Sequence, residues 1–237
     1  MPEEIIYRTE HVFEMLDILL KEQSKFNWDR FYADRGRPIP FFVNVPDENL
    51  VGYFDNNRLT PGKVLELGCG PGRNAIYLAE RGCAVDAVDL SKEAIEWGKE
   101  RAKEKGVRIN FVHQNIFDMD FEENAYDIVY DSGCFHHITP HRRVSYLEIL
   151  NKALKPGGFF ALTCFVAGGK LGGAEMSDWD VYRIKSLAGG LGFTEEKLRI
   201  IFHNFEVVEM RNMQEVIQPS HVFGTDALLT ALFMKRC

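Results

Sequence analysis

Ten residues constrain this chain more than any others: Val64-Leu65-Glu66-Leu67-Gly68-Cys69-Gly70-Pro71-Gly72-Arg73. A short apolar run ends in three alternating glycines and passes into a segment of helical character. Glycine lets the backbone turn tightly and approach a ligand closely. The helix N-terminus that follows offers unpaired N–H groups and a dipole that favours an anionic group. Gly-x-Gly alone is a weak signal, because several nucleotide-binding folds share it. Two acidic residues narrow it. Asp89 lies 21 residues beyond Gly68, at the end of the next strand-like run, where a carboxylate accepts the hydroxyls of an adenosine ribose. Glu66 stands two residues before the first glycine, where it would repel a pyrophosphate and tolerate a ligand that carries an ammonium. The turn also reads Gly-x-Gly-x-Gly-Arg and lacks the Gly-x-x-Gly spacing of a dinucleotide site.

The rest of the chain repeats the strand-then-helix rhythm. Strand-like runs at 64–67, 84–88, 109–112, 126–130 and 159–165 alternate with helical stretches at 72–80, 92–105 and 142–154. Ser91 caps the second helix and Gly106 stops it. This alternation predicts right-handed βαβ units, hence an α/β, doubly wound, Rossmann-like parallel sheet. Upstream, apolar positions at Ile6, Val12, Phe13, Leu16, Leu19 and Leu20 predict an amphipathic helix within 3–24. An aromatic link follows, and Asp47 is placed to cap a short helix through Phe54. Downstream, residues 166–193 hold seven of the 20 glycines. Then come a helix at 194–202, capped by Thr194, and two strands at 205–210 and 228–234. The expected organisation is one domain over 1–237: an N-terminal helical lid (1–46), a ligand-binding core (47–165), a Gly-rich insertion with a helix (166–204) and a C-terminal strand pair (205–237).

A net charge of −7 argues against nucleic acid as a partner, since phosphate neutralisation needs a basic face. The longest strongly apolar stretch, 159–167, is half of a membrane span, and the chain opens without a basic-then-apolar leader. A cytoplasmic protein with no membrane partner is therefore expected. Five widely spaced cysteines with no Cys-x-x-Cys read as reduced thiols.

Glu66-Leu67-Gly68-Cys69-Gly70-Pro71-Gly72-Arg73 resembles motif I of the class I methyltransferases that use S-adenosylmethionine (SAM). Asp89-Leu90 matches the ribose-binding acidic residue and its neighbour in that family. Gln114-Asn115-Ile116 sits where the family has its adenine-side residues, with Asn115 in place of the usual Asp. Tyr126 to Asp131 resembles motif IV, and Leu154-Lys155-Pro156-Gly157-Gly158 resembles the turn before the fifth strand. Trp28 and Tyr32 resemble the aromatic lid over SAM in the thiopurine and tellurite-resistance groups, whereas Ser132 departs from their Asp-Arg-Gly segment.

The resemblance implies a seven-stranded, mostly parallel sheet with one antiparallel C-terminal strand. It implies SAM as cofactor, S-adenosylhomocysteine as product, and methyl transfer to a small molecule through a thiol, amine, hydroxyl or chalcogen. The cofactor-binding set it implies is Trp28, Tyr32, Glu66, Gly68, Gly70, Gly72, Arg73, Asp89, Leu90, Asn115, Ile116 and Asp131. His136 is the candidate general base, because imidazole titrates near neutrality. His136, His137 and His141 offer no fourth ligand at credible spacing, so no metal is expected. Phe41 and Phe42 are expected to pack beneath the lid. A monomer or homodimer is expected. The competing readings are a SAM-binding module without catalysis and an NAD-dependent oxidoreductase.

Overall fold

The computed structural model describes residues 5–21, 26–217 and 219–236. The expected helix over 3–24 is realised as α1 (Thr9–Lys21); residues 5–8 precede it without helical structure, and 3–4 and 22–24 lie outside the described residues. The aromatic link folds into α2 (Trp28–Ala33) and a 3-10 turn at Pro40–Phe42, followed by α3 (Glu48–Asp55). Then come β1 (Lys63–Leu67), α4 (Arg73–Glu80), β2 (Ala84–Asp89), α5 (Lys92–Lys105), β3 (Asn110–His113), β4 (Tyr126–Ser132), α6 (Arg142–Ala153) and β5 (Leu154–Phe165). The chain finishes with α7 (Asp178–Ile184), α8 (Glu195–Ile201), β6 (Phe205–Asn212) and β7 (Leu228–Lys235).

The seven strands form one sheet in the order β3-β2-β1-β4-β5-β7-β6. Every pairing from β3 to β5 is parallel, and β7 runs antiparallel to both of its neighbours. The strand order reverses direction at β1 and β4, and the carboxyl ends of these two strands open the crevice where such sheets bind ligands. The sheet is buried on both faces, as a parallel sheet must be. One face packs an aromatic-rich layer around Phe135, Phe160, Phe202 and Phe233, and the other packs Leu50, Tyr53, Leu78 and Ile95.

Local chemistry accounts for the boundaries. The Ser91 hydroxyl accepts from the Ala94 N–H at the start of α5, and Gly106 ends it at φ 68°. Three expectations need correction. Asp47 does precede α3, but its carboxylate makes no cap and goes into a buried network. The Pro156-Gly157-Gly158 segment is not a turn before β5 but a bulge inside it: Leu154 pairs with Tyr126 and Phe159 with Ile128, so five steps of β5 oppose two of β4. Within the Gly-rich stretch, α7 was not foreseen; Ser177 and Asp180 build a reciprocal capping box there, in the midst of glycines that dilute the helical pattern.

Candidate active site

A cavity of about 640 Å³ opens at the carboxyl ends of β1, β2, β4 and β5. That volume falls in the ~300–1,000 Å³ range usual for small-molecule sites. Its floor is the glycine turn. Gly68 sits at φ 66° and Gly70 at φ 51°, a region L-residues rarely adopt. A Cβ on Gly68 would stand 2.5 Å from the Cβ of Cys134. Both glycines line the cavity. Gly72 does not: a Cβ there would meet the Phe111 ring at 2.9 Å, so its absence of a side chain serves the packing of α4 against β3.

The two carboxylates singled out by spacing are both here. Asp89, at the end of β2, accepts from the Gly70 N–H and the Ser91 N–H, each at 2.8 Å. It therefore ties the glycine turn to the start of α5, and each oxygen keeps a lone pair for a ligand hydroxyl. Burial raises its pKa, opposed by those two N–H groups. Glu66 is 2% exposed, and its Oε2 has no hydrogen-bond partner among the described residues. Burial pushes its carboxyl well above the ordinary range, with Arg73 pulling the other way. An orphaned carboxylate oxygen is costly, and a cationic ligand group would satisfy it.

Across the cavity, Leu90 lies exposed at one wall, and Asn115 and Ile116 begin a 3-10 turn at Ile116–Asp118. The Asn115 Oδ1 accepts from the Phe117 N–H at 3.2 Å, which leaves its amide NH₂ available as a donor. Above the glycine turn, α2 is pinned to α5 by Asp29, which accepts from the Ser91 hydroxyl at 2.8 Å. The pin sets Tyr32 over Gly70: a Cβ on Gly70 would come within 3.0 Å of the Tyr32 hydroxyl. Trp28 stacks near Tyr32 and meets His137 edge-on at 4.9 Å. Phe42 packs beneath these rings against Trp97, as expected, whereas Phe41 also reaches the cavity.

Three predicted residues stand differently from expectation. Arg73 lines the cavity, but its guanidinium is committed: it bonds the Asp47 carboxylate at 2.6 Å, the Val45 carbonyl at 3.2 Å and the Ser132 hydroxyl at 3.3 Å. Asp47 is fully buried and also accepts from Asn74, Tyr130 and Ser132. Asp131 does not line the cavity. Strand alternation turns it to the α6 face, where it accepts from the N–H groups of Cys134 and Phe135 and from the Tyr146 hydroxyl. Burial raises its pKa to about 6.

His136 does line the cavity, but with the geometry of a donor. Its Nδ1 accepts from the Phe165 N–H at 3.2 Å, and its ring stacks on Phe165 at 3.7 Å between centroids. A neutral imidazole whose Nδ1 lone pair is engaged carries its proton on Nε2. Burial, with His137 adjacent, holds it well below the usual histidine range. The expected general base thus has no free lone pair to offer.

Residues that the sequence did not single out as ligands include His137, whose ring burial holds down to a pKa of about 4, and Phe165. Glycines of the 166–193 stretch make room for Phe165: a Cβ on Gly190 would stand 2.9 Å from its ring and one on Gly172 3.1 Å from it. Among the described residues no group of His, Cys, Asp and Glu is arranged to hold a metal ion, and no helix is long and apolar enough to cross a membrane.

Comparison with known proteins agrees with this geometry. Residues 64–158 match the model of a family described as a methyltransferase domain. An uncharacterized methyltransferase of Synechocystis is 36% identical over 122 residues, covering 51% of this chain and 52% of its own length. The 2-heptyl-1-hydroxyquinolin-4(1H)-one methyltransferase of Mycobacteroides abscessus is 27% identical over 127 residues, 53% and 56% of the two lengths. The chain thus spans about half the length of these curated relatives. In fold it is similar to the Burkholderia thailandensis 1,6-didemethyltoxoflavin-N1-methyltransferase, with a TM-score of 0.66, 24% identity, and coverage of 100% of this chain and 94% of that one. It is similar also to TehB of Haemophilus influenzae, with a TM-score of 0.59 and 19% identity over 79% and 62% of the two chains. The stretch that carries the strand, the glycine turn and Asp89 is thus similar to a methyltransferase domain over residues 64–158, and the fold is one shared with these solved structures.

Proposed function

We propose that the protein transfers a methyl group from SAM to a small-molecule acceptor. The observation that carries the reading is the unpartnered Oε2 of Glu66, buried in the same cavity as Asp89 and separated from it by the glycine turn. One carboxylate suits an ammonium and the other a ribose diol, a pair of demands that a dinucleotide does not make. The toxoflavin-type neighbour was crystallised with S-adenosylhomocysteine, which fits the same demand.

SAM, when bound, supplies an electrophilic methyl group on sulfur. The chain's residues would place and enclose it. Glu66 would take the amino group of its methionine end, and Asp89 its ribose hydroxyls. Asn115 and Ile116 would meet the adenine. Trp28 and Tyr32 would close over the glycine turn and exclude water, which favours a reaction whose transition state disperses charge. Alignment of acceptor and methyl group in one cavity is worth up to about 7–11 kcal/mol in favourable cases. Arg73 would act from behind: its bond to Asp47 braces the first turn of α4 against β4.

The test is thermal unfolding with SAM, S-adenosylhomocysteine or NAD. A ligand at 100 times its Kd adds about 2.7 kcal/mol, a rise of about 5–11 °C for a chain of this length at ~2–4 °C per kcal/mol. Stabilisation by SAM and its product is expected; stabilisation by NAD alone would replace this reading with an oxidoreductase.

A further inference from the structure

The acceptor end of the cavity lies beyond the carboxyl ends of β4 and β5, and its chemistry is narrow. Phe41, Phe165, Phe223 and Leu228 bring apolar surface to it from the 3-10 turn, β5 and the approach to β7. Trp28 and His137 meet at its rim. Two arginines reach the cavity, and both are paired. Arg73 is held by Asp47 at 2.6 Å, and Arg142 by Asp17 at 2.6 Å and Glu10 at 2.8 Å. Among the described lining residues, no unpaired cation is left to receive a phosphate or carboxylate. The polar side chains at this end are the hydroxyls of Ser132, Thr139 and Thr163 and the imidazole of His136, of which His136 stacks directly on Phe165. Its Nδ1 is engaged by the Phe165 N–H, its ring is clamped between Phe165 and the close approach of Gly190, and its Nε2 has no partner among the described residues. The engaged Nδ1 makes Nε2 a donor.

We propose, building on the methyl-transfer reading, that the acceptor is a planar aromatic compound that presents an unprotonated oxygen or nitrogen to the Nε2–H of His136, and that the chain contributes no general base to the reaction. The apolar rings suit a flat aromatic face, and a fixed N–H at their edge selects a ligand that accepts a hydrogen bond. The same N–H disfavours a quaternary ammonium, which aromatic walls alone would welcome. The titratable neighbours of this end do not supply a base. His137 is held near a pKa of about 4, burial raises the Cys134 thiol and the Tyr32 phenol, and Asp17 is tied to His141 and Arg142.

The nucleophile therefore arrives with its lone pair free. That pair forms the bond to the methyl carbon while the carbon–sulfur bond breaks toward sulfur, leaving a neutral thioether. An oxyanion leaves as a neutral ether with no proton to place. A ring nitrogen has one in-plane lone pair, which goes to the methyl carbon, so such an acceptor presents a second oxygen or nitrogen to the Nε2–H; it leaves as a cation, and a proton lost from it goes to water.

The test begins with calorimetric titration of the S-adenosylhomocysteine complex with 2-naphthol, naphthalene, phosphoethanolamine and choline. Saturable binding of 2-naphthol, tighter than naphthalene by about 2- to 13-fold for one hydrogen bond, is expected, with no binding of the two aliphatic ions. His136→Phe should abolish the difference between 2-naphthol and naphthalene. Independently of any variant, methyl transfer is followed against pH over a series of phenols of different acidity. With no enzymic base, the midpoint of kcat/KM moves with each phenol's own pKa. A midpoint that stays fixed across the series, or binding of the aliphatic ions in preference to 2-naphthol, overturns the proposal. Failure to bind S-adenosylhomocysteine at all would overturn the methyl-transfer reading itself, so the two failures are told apart.

Discussion

Glu66 gives opposite signs in two experiments, which makes it the sharpest probe of this site. Its carboxyl is buried, its Oε2 has no partner, and its pKa lies well above the ordinary 4.5. A group whose pKa rises on folding contributes its full stability below the unfolded pKa and loses it as pH rises through the folded value. The ligand-free protein should therefore lose stability through Glu66 from about pH 4.5 upward, at up to about 1.4 kcal/mol per pH unit while the folded form holds the extra proton. Glu66→Gln keeps the shape and removes the titration. At neutral pH it should raise the stability of the free protein by about 1–3 kcal/mol, the cost of an unsatisfied buried polar group. That is about 2–12 °C in Tm for a chain of this length. The same substitution removes a charge-assisted bond to the ligand's ammonium, worth about 1.5–3 kcal/mol, so SAM should bind about 10- to 150-fold more weakly. The assays are differential scanning calorimetry of both proteins at pH 5 and pH 8 without ligand, and calorimetric titration with SAM. If Glu66→Gln destabilises the free protein at pH 8, or the gap between the two proteins is the same at both pH values, the carboxylate is not an orphan. If SAM affinity is unchanged, Glu66 does not meet the ammonium.

Other residues give readings of their own. Asp89→Ala should weaken SAM by about 1–3 kcal/mol, and it should also lower the Tm of the free protein, because the Gly70 and Ser91 N–H groups lose their acceptor; a ligand-free Tm that does not move would contradict that second role. Asp47→Ala leaves Arg73 buried without its partner, and breaking a buried pair this way costs about 3–5 kcal/mol, read by denaturant unfolding; a loss under 1 kcal/mol would mean that the network does not brace α4. Asp131 should titrate with a midpoint near 6, and its contribution to stability, present in full below pH 3.8, should fall as pH rises through 6; Asp131→Asn should flatten that part of the pH–stability curve, and an unchanged curve would refute the assignment. Gly190→Ala forces a Cβ to 2.9 Å from Phe165 at φ 144°, so it should weaken acceptor binding more than SAM binding, since the ring it meets is Phe165 and not the glycine turn; equal loss of both would argue that the insertion folds as one unit with the cofactor end.

Local patterns carried a great deal of this. Strand, glycine turn and helix recur in order because short apolar runs and capped amphipathic runs are decided by neighbours in sequence, and the parallel sheet follows from them. Gly68, Gly70 and Asp89 were legible because the turn geometry and the 21-residue spacing are properties of one βαβ unit. Glu66 was legible for the same reason, although its orphaned oxygen was not.

What escaped the sequence depends on contacts between distant segments. Asp47 reads as a helix cap, since Asp before a helix caps it, yet Arg73, Asn74, Tyr130 and Ser132 converge on it from α4 and β4 and outbid the local N–H groups. Asp131 and Ser132 are adjacent in sequence, but the pleat of β4 sends one to α6 and the other toward the cavity. His136 reads as a base because imidazole titrates near neutrality; only the Phe165 N–H, 29 residues away, engages its Nδ1 and makes it a donor. The residue types and the fold are written along the chain, where near neighbours decide. The direction of each lone pair and proton in the cavity is set by partners that only the folded sheet brings within hydrogen-bonding distance.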